Sequence, residues 1–195
     1  MISKRLRTLS TLVPQNSIAC DIAKGPLQQA EKTISEAGCS AQIETILCPG
    51  FSKVPNDANC MIIAGMGWKT IEMILENDYD RLSQFNRILL QSNRDVSQLR
   101  AWVSEHHMTI VEEKVVEDMG KDYEIVCITT EPHEEYTSEE IKYGPVLLKR
   151  KDQEFIDFLD RKIKKNELIA SKVTDEHKKN QLLEEVEDMK RIRQR

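Results

Sequence analysis

The sequence predicts an α/β fold with a mostly parallel sheet, followed by a helical tail. Short apolar runs alternate with amphipathic stretches, two longer runs of alternating polarity come next, and beyond residue 136 apolar residues recur at helical spacing. An uninterrupted apolar run such as Cys60–Ala64 is typical of a strand that is covered on both faces. We therefore expect successive strand–helix units, closed by a terminal antiparallel hairpin.

The individual elements follow from local signals. The predicted strands are Ser17–Ile22, Ile43–Cys48, Cys60–Ala64, Arg87–Gln91, Met108–Val116 and Tyr123–Thr129. The predicted helices are Ile2–Leu12, Pro26–Ala37, Lys69–Leu75 and Val96–Glu105. Pro14 ends the first helix, and Gly38 ends the second.

The apolar strand Ser17–Ile22 is expected in the interior of the sheet, beside Cys60–Ala64, because its small apolar residues need cover on both faces. The helix that follows should pack on one face of the sheet. Its predicted contacts are Leu27, Ala30 and Ile34.

A change in composition predicts two domains, 1–135 and 136–195. The acidic stretch Glu131–Glu135 lies at the boundary and is interpreted as a solvated linker. From Asp152 onward the apolar stripes are narrow, and Thr174-Asp175 offers a break and an N-cap. This pattern predicts an antiparallel helical hairpin of coiled-coil type, and it leaves open a single long helix.

Charge and cysteine usage exclude several classes. The net charge of −5 argues against a protein covered by nucleic acid, although residues 137–195 carry 15 Lys+Arg against 13 Asp+Glu. No apolar run is long enough to span a membrane, and no signal core opens the chain, so a cytoplasmic location is expected. The five cysteines form no CxxC pair and do not cluster with histidines, so neither a metal site nor a disulfide framework is expected.

Ligands of a doubly wound sheet bind beyond the carboxyl ends of its strands, so the residues at those ends are the candidate ligand-binding residues. Asp21 suits hydrogen bonding to a ribose diol, but a turn or a helix cap is the alternative. The Gly65-Met66-Gly67 segment would allow close backbone approach to a ligand. Gln91 and Asn93 carry uncharged amides of the kind that can contact the edge of a base.

Two tryptophans, Trp68 and Trp102, lie near these positions. We interpret both as packing residues, and base-stacking platforms are the alternative.

Several segments together resemble the bacterial tRNA (adenine(22)-N1)-methyltransferase family. Met61–Leu75 (MIIAGMGWKTIEMIL) is similar to the IAGMGG segment of that family, and RILLQSNRDVSQLRAWVSEH to its LILQPN strand and helix. The further similar segments are ISKRLRTLSTLVP, CDIAKGPLQQA, IVEEKVVEDMGKDYEIV and YGPVLLKRKDQEFIDFL. The resemblance covers nearly all of the chain. It implies a Rossmann-like methyltransferase sheet, S-adenosyl-L-methionine as methyl donor and tRNA as substrate.

The resemblance also implies roles for particular residues. The implied cofactor-binding residues are Asp21, Gly50, Ala64, Gly65, Met66 and Gly67, and those facing the target base are Gln91 and Asn93. No general base is implied. Basic residues of the first helix and of the tail are expected to contact tRNA, with a merely solvated coiled coil as the alternative. They are Lys4, Arg5, Arg7, Lys162, Lys164, Lys165, Lys178 and Lys179.

The sequence departs from the family pattern in the cofactor region. Members carry a strand, an acidic glycine-containing loop and a helix before the segment that resembles CDIAKGP, and here this step is missing. An acid that often follows the third strand is replaced in Cys48-Pro49-Gly50, and Trp68 takes the place of a glycine, where it would crowd the loop. Two functions therefore stay open: an active methyltransferase, or an impaired member that keeps tRNA binding.

Overall fold

The structure is a computed structural model, and it describes residues 16–195. These residues form two compact units, one of residues 16–59 and 72–85, the other of residues 60–71 and 86–195. Helix α2 (Trp68–Asn77) belongs partly to each. The architecture is α/β, as predicted.

The first unit contains a short parallel strand pair and one covering helix. Strand β1 (Ser17–Asp21) leads through helix α1 (Lys24–Glu36) to strand β2 (Ile43–Leu47). Strands β1 and β2 pair in parallel. Leu27 and Ile34 are the buried residues of the helix, at the spacing that the sequence predicts, and Gly38 follows the helix with φ of 70°.

The predicted position of β1 was wrong. Strand β1 pairs with β2 alone among the described strands, and all five of its residues are only half-buried. It therefore does not occupy the interior position beside Cys60–Ala64. The physical reason is that a short apolar run shows that a strand needs cover, but it does not specify the strand with which it pairs.

The second unit is built on a mixed four-stranded sheet in the order β3-β4-β6-β5. Strands β3 (Cys60–Met66) and β4 (Arg87–Ser92) are parallel, and helix α3 (Val96–Glu105) follows them. Strands β5 (Met108–Asp118) and β6 (Lys121–Pro132) pair antiparallel around Met119-Gly120, and β6 also pairs antiparallel with β4. Residues 131–135 are exposed.

Trp68 lies in the core of this unit and does not crowd the glycine loop. Its side chain is only 2% exposed, and its ring meets that of Trp102 edge-on with centroids 6.1 Å apart. Both tryptophans are therefore packing residues, as the sequence analysis favours, and the expected crowding near the loop was wrong.

The remaining elements are helices that pack on β5 and on one another. Helices α4 (Ser138–Tyr143) and α5 (Pro145–Arg150) precede the longer α6 (Gln153–Ala170) and α7 (Glu176–Gln194). Asp152 and Asp175 cap the two long helices through their side chains. Val115 of β5 shares one apolar core with these helices, so the strand and the helices are stabilised together.

Ion pairs join α6 and α7 along their length. Asp160 pairs with Arg193 at 2.9 Å, and Glu167 pairs with Lys190 at 3.1 Å. Because the partner in α7 moves toward lower residue numbers as the residue in α6 moves toward higher ones, the two helices run antiparallel. We call the segment between and around their near ends, residues 164–179, the hairpin tip.

Candidate functional site

The irregular end of β3, residues 64–67, is the centre of the candidate site, and we call it the glycine turn. Gly65 has φ of 80°, in the region that favours glycine, and the register of β3 against β4 shifts between Ala64 and Met66. Among the described residues, no atom beyond its chain neighbours lies within 4 Å of the point where a Cβ of Gly65 would stand. The turn therefore presents open backbone at the carboxyl end of a strand, where a doubly wound sheet binds its ligands.

Two amides from the neighbouring strand hold this turn. The Gly65 N–H donates to Gln91 Oε1 at 2.8 Å, and Asn93 Nδ2 donates to the Gly65 carbonyl oxygen at 2.7 Å. Gln91 Nε2 in turn donates to Asn93 Oδ1 at 3.2 Å. The structure thus brings Gln91, Asn93 and Gly65 together, as the resemblance implies. Each amide keeps one N–H that these bonds do not use.

Arg94 is a further residue of this site, which the sequence analysis missed. Its guanidinium lies against Gly67, where an added Cβ would be 3.3 Å from Arg94 Nε. The side chain is 80% exposed, and its carboxylate neighbour Asp95 is 4.0 Å away, at the limit of an ion pair. The signal that could have found it is an arginine directly after the strand-end amide Asn93.

Asp21 and Gly50 lie in the first unit and are held by local contacts. Asp21 Oδ1 accepts a hydrogen bond from the N–H of Ala23 at 2.8 Å. This bond is that of a local turn, which the sequence analysis gives as the alternative to ribose binding for Asp21. Gly50 has φ of 58°, and a Cβ on it would lie 3.1 Å from Asp78 Oδ2. A carboxylate therefore does lie beside Pro49-Gly50, but it comes from the end of α2.

The basic residues of the tail differ in whether a carboxylate neutralises them. Lys162 pairs with Glu124 at 3.4 Å, and Lys179 pairs with Glu176 at 3.3 Å. Lys164, Lys165 and Lys178 are exposed, and no carboxylate of the described residues pairs with them. The same holds for Lys172, which the sequence analysis did not single out. The hairpin tip thus carries positive charge that is free to meet an anion.

Three of the predicted basic residues cannot be placed. Lys4, Arg5 and Arg7, with the predicted helix Ile2–Leu12, lie outside the described residues.

Within residues 16–195, no group of three or more His, Cys, Asp or Glu side chains could hold a metal ion. In that same range no helix combines the length and apolarity that crossing a membrane needs.

The α/β topology and the glycine turn at the strand end are those of a Rossmann-like protein. The comparisons with known proteins give the particular family. The family model described as tRNA (adenine(22)-N(1))-methyltransferase matches residues 7–194. This chain belongs to that family.

Individual relatives agree with the family model. The tRNA (adenine(22)-N(1))-methyltransferase of Bacillus subtilis is 24% identical, over 96% of this chain and 93% of the relative. A Streptococcus agalactiae protein of the NADB-Rossmann superfamily has a TM-score of 0.81 at 25% identity, over 98% of this chain and 97% of that one. A Streptococcus pneumoniae structure in complex with S-adenosyl-L-methionine has a TM-score of 0.78 at 25% identity, over 98% and 99%.

The length of the Bacillus match bears on the expectation that one strand–helix step is missing from this sequence. The match spans 221 aligned positions, which exceeds the 195 residues of this chain by 26. At least 26 residues inside the matched part of the relative therefore have no counterpart here. A shortfall of this size is comparable with the length of one strand–helix unit.

Proposed function

We propose that this chain transfers a methyl group from S-adenosyl-L-methionine to N1 of the adenine at position 22 of tRNA. The observation that carries the proposal is the family match over residues 7–194. The Bacillus subtilis relative bears this activity in its name, and the Streptococcus pneumoniae relative was solved with the methyl donor bound. These findings favour the enzyme over an impaired tRNA-binding module.

The residues of the glycine turn fit such a cofactor. Ala64, Gly65, Met66 and Gly67 form a turn with open space beside Gly65, so that the backbone can approach a ligand closely. Asp21 and Gly50 remain proposed cofactor contacts by the family resemblance, and one carboxylate oxygen of Asp21 accepts no hydrogen bond among the described residues. When bound, S-adenosylmethionine supplies a methyl group on an electrophilic sulfonium.

The target base is proposed to meet Gln91 and Asn93 through the amide N–H groups that do not hold the turn. The nucleophile is the ring nitrogen N1, so this side of the site must orient the base and leave the N1 lone pair free. Both side chains are uncharged and place no proton on that nitrogen. Positioning then supplies most of the rate, because it converts a bimolecular step into an effectively unimolecular one.

Arg94 is proposed to contact a phosphate beside the target nucleotide. A guanidinium offers two parallel N–H donors to a phosphate, and this one is exposed next to the amides that are proposed to face the base. Asp95, at 4.0 Å from Nε, is too weakly paired to hold it when a phosphate competes.

The C-terminal helices, residues 136–195, are proposed as an appended coiled-coil domain that contacts tRNA. The exposed lysines of the hairpin tip, Lys164, Lys165 and Lys178, carry the proposal, because no carboxylate of the described residues neutralises them. Lys162 and Lys179 are proposed to contribute despite their ion pairs. Lys4, Arg5 and Arg7 remain proposed contacts from the sequence alone.

The test is methyl transfer from tritiated S-adenosylmethionine to tRNA transcripts. A transcript with adenine at position 22 should accept the methyl group, and a transcript with guanine there should not. Mapping the product should place the methyl group on N1. Tight tRNA binding without incorporation at any ratio of enzyme to substrate would instead support the impaired module.

A further inference from the structure

Gln91 and Asn93 do more in the structure than face a base. Between them they hold both polar backbone groups of Gly65, the N–H at 2.8 Å and the carbonyl at 2.7 Å. The backbone adds a third connection, because the Asn93 N–H donates to the Met66 carbonyl oxygen at 2.8 Å. The glycine turn at the end of β3 is thus bonded on both sides of Gly65 to the carboxyl end of β4 and to Asn93, which follows it.

These bonds replace ladder contacts that the sheet loses at this point. The register of β3 against β4 shifts between Ala64 and Met66, so Gly65 has no partner residue in β4. The left-handed φ of 80° turns its backbone groups away from the regular ladder. The amides of Gln91 and Asn93 supply a donor and an acceptor at the separations that the ladder would have provided.

We infer that Gln91 and Asn93 are positioning residues for the cofactor turn, and that through this role they couple the base side of the site to the cofactor side. The inference rests on the proposed function for the identity of the ligand that the turn holds. A base that contacts either amide contacts a group already bonded to the turn. Removing the bonds should therefore weaken S-adenosylmethionine even when no RNA is present.

The two amides are not equivalent, which gives the inference a sharp test. Replacing Asn93→Asp removes the donor to the Gly65 carbonyl and places carboxylate oxygens against it. Replacing Gln91→Glu keeps an acceptor for the Gly65 N–H, but it loses the donor to Asn93 and places a carboxylate oxygen against Asn93 Oδ1 instead of against the turn. The matched control is Gln98→Glu, an exposed amide of α3 whose side chain makes no bond among the described residues.

The experiment is titration of each full-length variant with S-adenosylmethionine in the absence of RNA. We expect Asn93→Asp to weaken binding by about 10-fold, Gln91→Glu by less, and Gln98→Glu not at all. Steady-state kinetics should show a raised KM for S-adenosylmethionine in Asn93→Asp. Amide hydrogen exchange should show faster exchange of Gly65 in Gln91→Ala, which removes its acceptor.

Gly65→Ala provides a second route if Asn93→Asp fails to fold. Because the space beside Gly65 is open, the added methyl group meets no protein atom, and it should act on the backbone conformation of the turn and on the room that the turn leaves for the cofactor. It should likewise weaken the cofactor without RNA. Wild-type affinity in Asn93→Asp and Gly65→Ala, with only the KM for tRNA raised, would overturn the inference. Failure of the wild-type chain to bind S-adenosylmethionine or to methylate tRNA would instead contradict the proposed function.

Discussion

Arg100 Nε donates to Glu113 Oε1 at 2.7 Å, and both side chains are almost completely removed from solvent. A second nitrogen of the same guanidinium, Nη2, donates to Glu124 Oε2 at 2.9 Å. Glu113 also accepts the N–H groups of Val146 and Leu147, at the start of α5. One arginine therefore joins α3 to both strands of the hairpin, and through Glu113 to the helices that follow.

Removing this arginine should destabilise the protein severely. Arg100→Met leaves Glu113 buried without its counter-charge, which costs about 3–5 kcal/mol. Urea unfolding followed by circular dichroism measures the free energy of unfolding. The control is Arg94→Met, an exposed arginine whose loss should change stability by less than about 0.5 kcal/mol. Equal effects of the two substitutions would show that the buried pair does not stabilise the fold.

The acid side of the stability profile should depend on Glu124. Burial opposes its ionisation, but Arg100 and Lys162 outweigh that cost and hold the pKa of its carboxyl below the ordinary value of 4.5. Ionised Glu124 therefore stabilises the folded state above about pH 4.5, and this contribution is lost as the pH falls through the lower folded-state pKa. The difference in unfolding free energy between wild type and Glu124→Gln should be largest near neutral pH. A difference that grows toward acid would contradict this assignment.

Gly144 should tolerate no side chain. Its φ is 95°, and a Cβ would lie 2.5 Å from Glu113 Oε2 and 2.6 Å from Oε1. Gly144→Ala must therefore displace a buried carboxylate that is already bonded to Arg100, and we expect a loss of at least about 2 kcal/mol. Gly120→Ala is a control for the cost of placing a side chain on a left-handed backbone, since φ of Gly120 is 77° and the space beside it is open. Thermal unfolding of both variants would separate the clash from the conformational strain.

The lysines of the hairpin tip should set the salt dependence of tRNA binding. Replacing Lys164, Lys165 and Lys178 by glutamine removes three proposed phosphate contacts. The slope of log affinity against log salt should then fall by about 2 to 3. The control replaces Lys190 and Arg191 by glutamine, because carboxylates already neutralise both side chains. Filter binding over a range of salt concentrations measures the slopes, and unchanged slopes in the tip variant would rule this surface out.

S-adenosylmethionine should bind this chain more weakly than it binds the Bacillus relative. The loop that the family resemblance places around the methionine portion of the cofactor belongs to the strand–helix step that the sequence predicts to be missing. Charge-assisted hydrogen bonds of the kind it would supply are worth about 1.5–3 kcal/mol each. Losing two of them would reduce affinity by about 100-fold or more. Parallel calorimetric titrations of the two proteins measure the difference, and equal affinities would show that other residues compensate.

Local elements could be predicted from the sequence because their signals are local. The helix α3 was predicted with the bounds that the structure has, and α6 and α7 are separated at Asp175, whose side chain caps α7. The short helices α4 and α5 were missed, because six residues are too few to show a helical period. The predicted partner of β1 was wrong. Strand pairing depends on which other strand edges are available, and the sequence of a single strand does not specify them.

In the candidate site, too, the residue types could be predicted from the sequence, and the hydrogen bonds between them could not. Glycines and amides at the ends of β3 and β4 are visible as residue types in the right order, so their convergence was predictable. The hydrogen bonds that attach both amides to Gly65 depend on the left-handed turn and the register shift, and no sequence pattern specifies these. Arg94 was missed because an exposed arginine in a loop usually has no special role, even when it directly follows a strand-end amide, and its position against Gly67 is visible only in the structure.

Strands β1 and β3 each have one unpaired edge in their sheets, and this affects the behaviour of the protein in solution. Within its own sheet each strand pairs on one side only, and neither SIACD nor CMIIAGM contains the lysine or proline that protects unpaired strand edges in other proteins. Ile62, in the middle of β3, is 70% exposed. Such a segment is a template for intermolecular β-sheet growth, so heating should produce turbidity that rises steeply with protein concentration. A lysine in place of Ile62 should delay it.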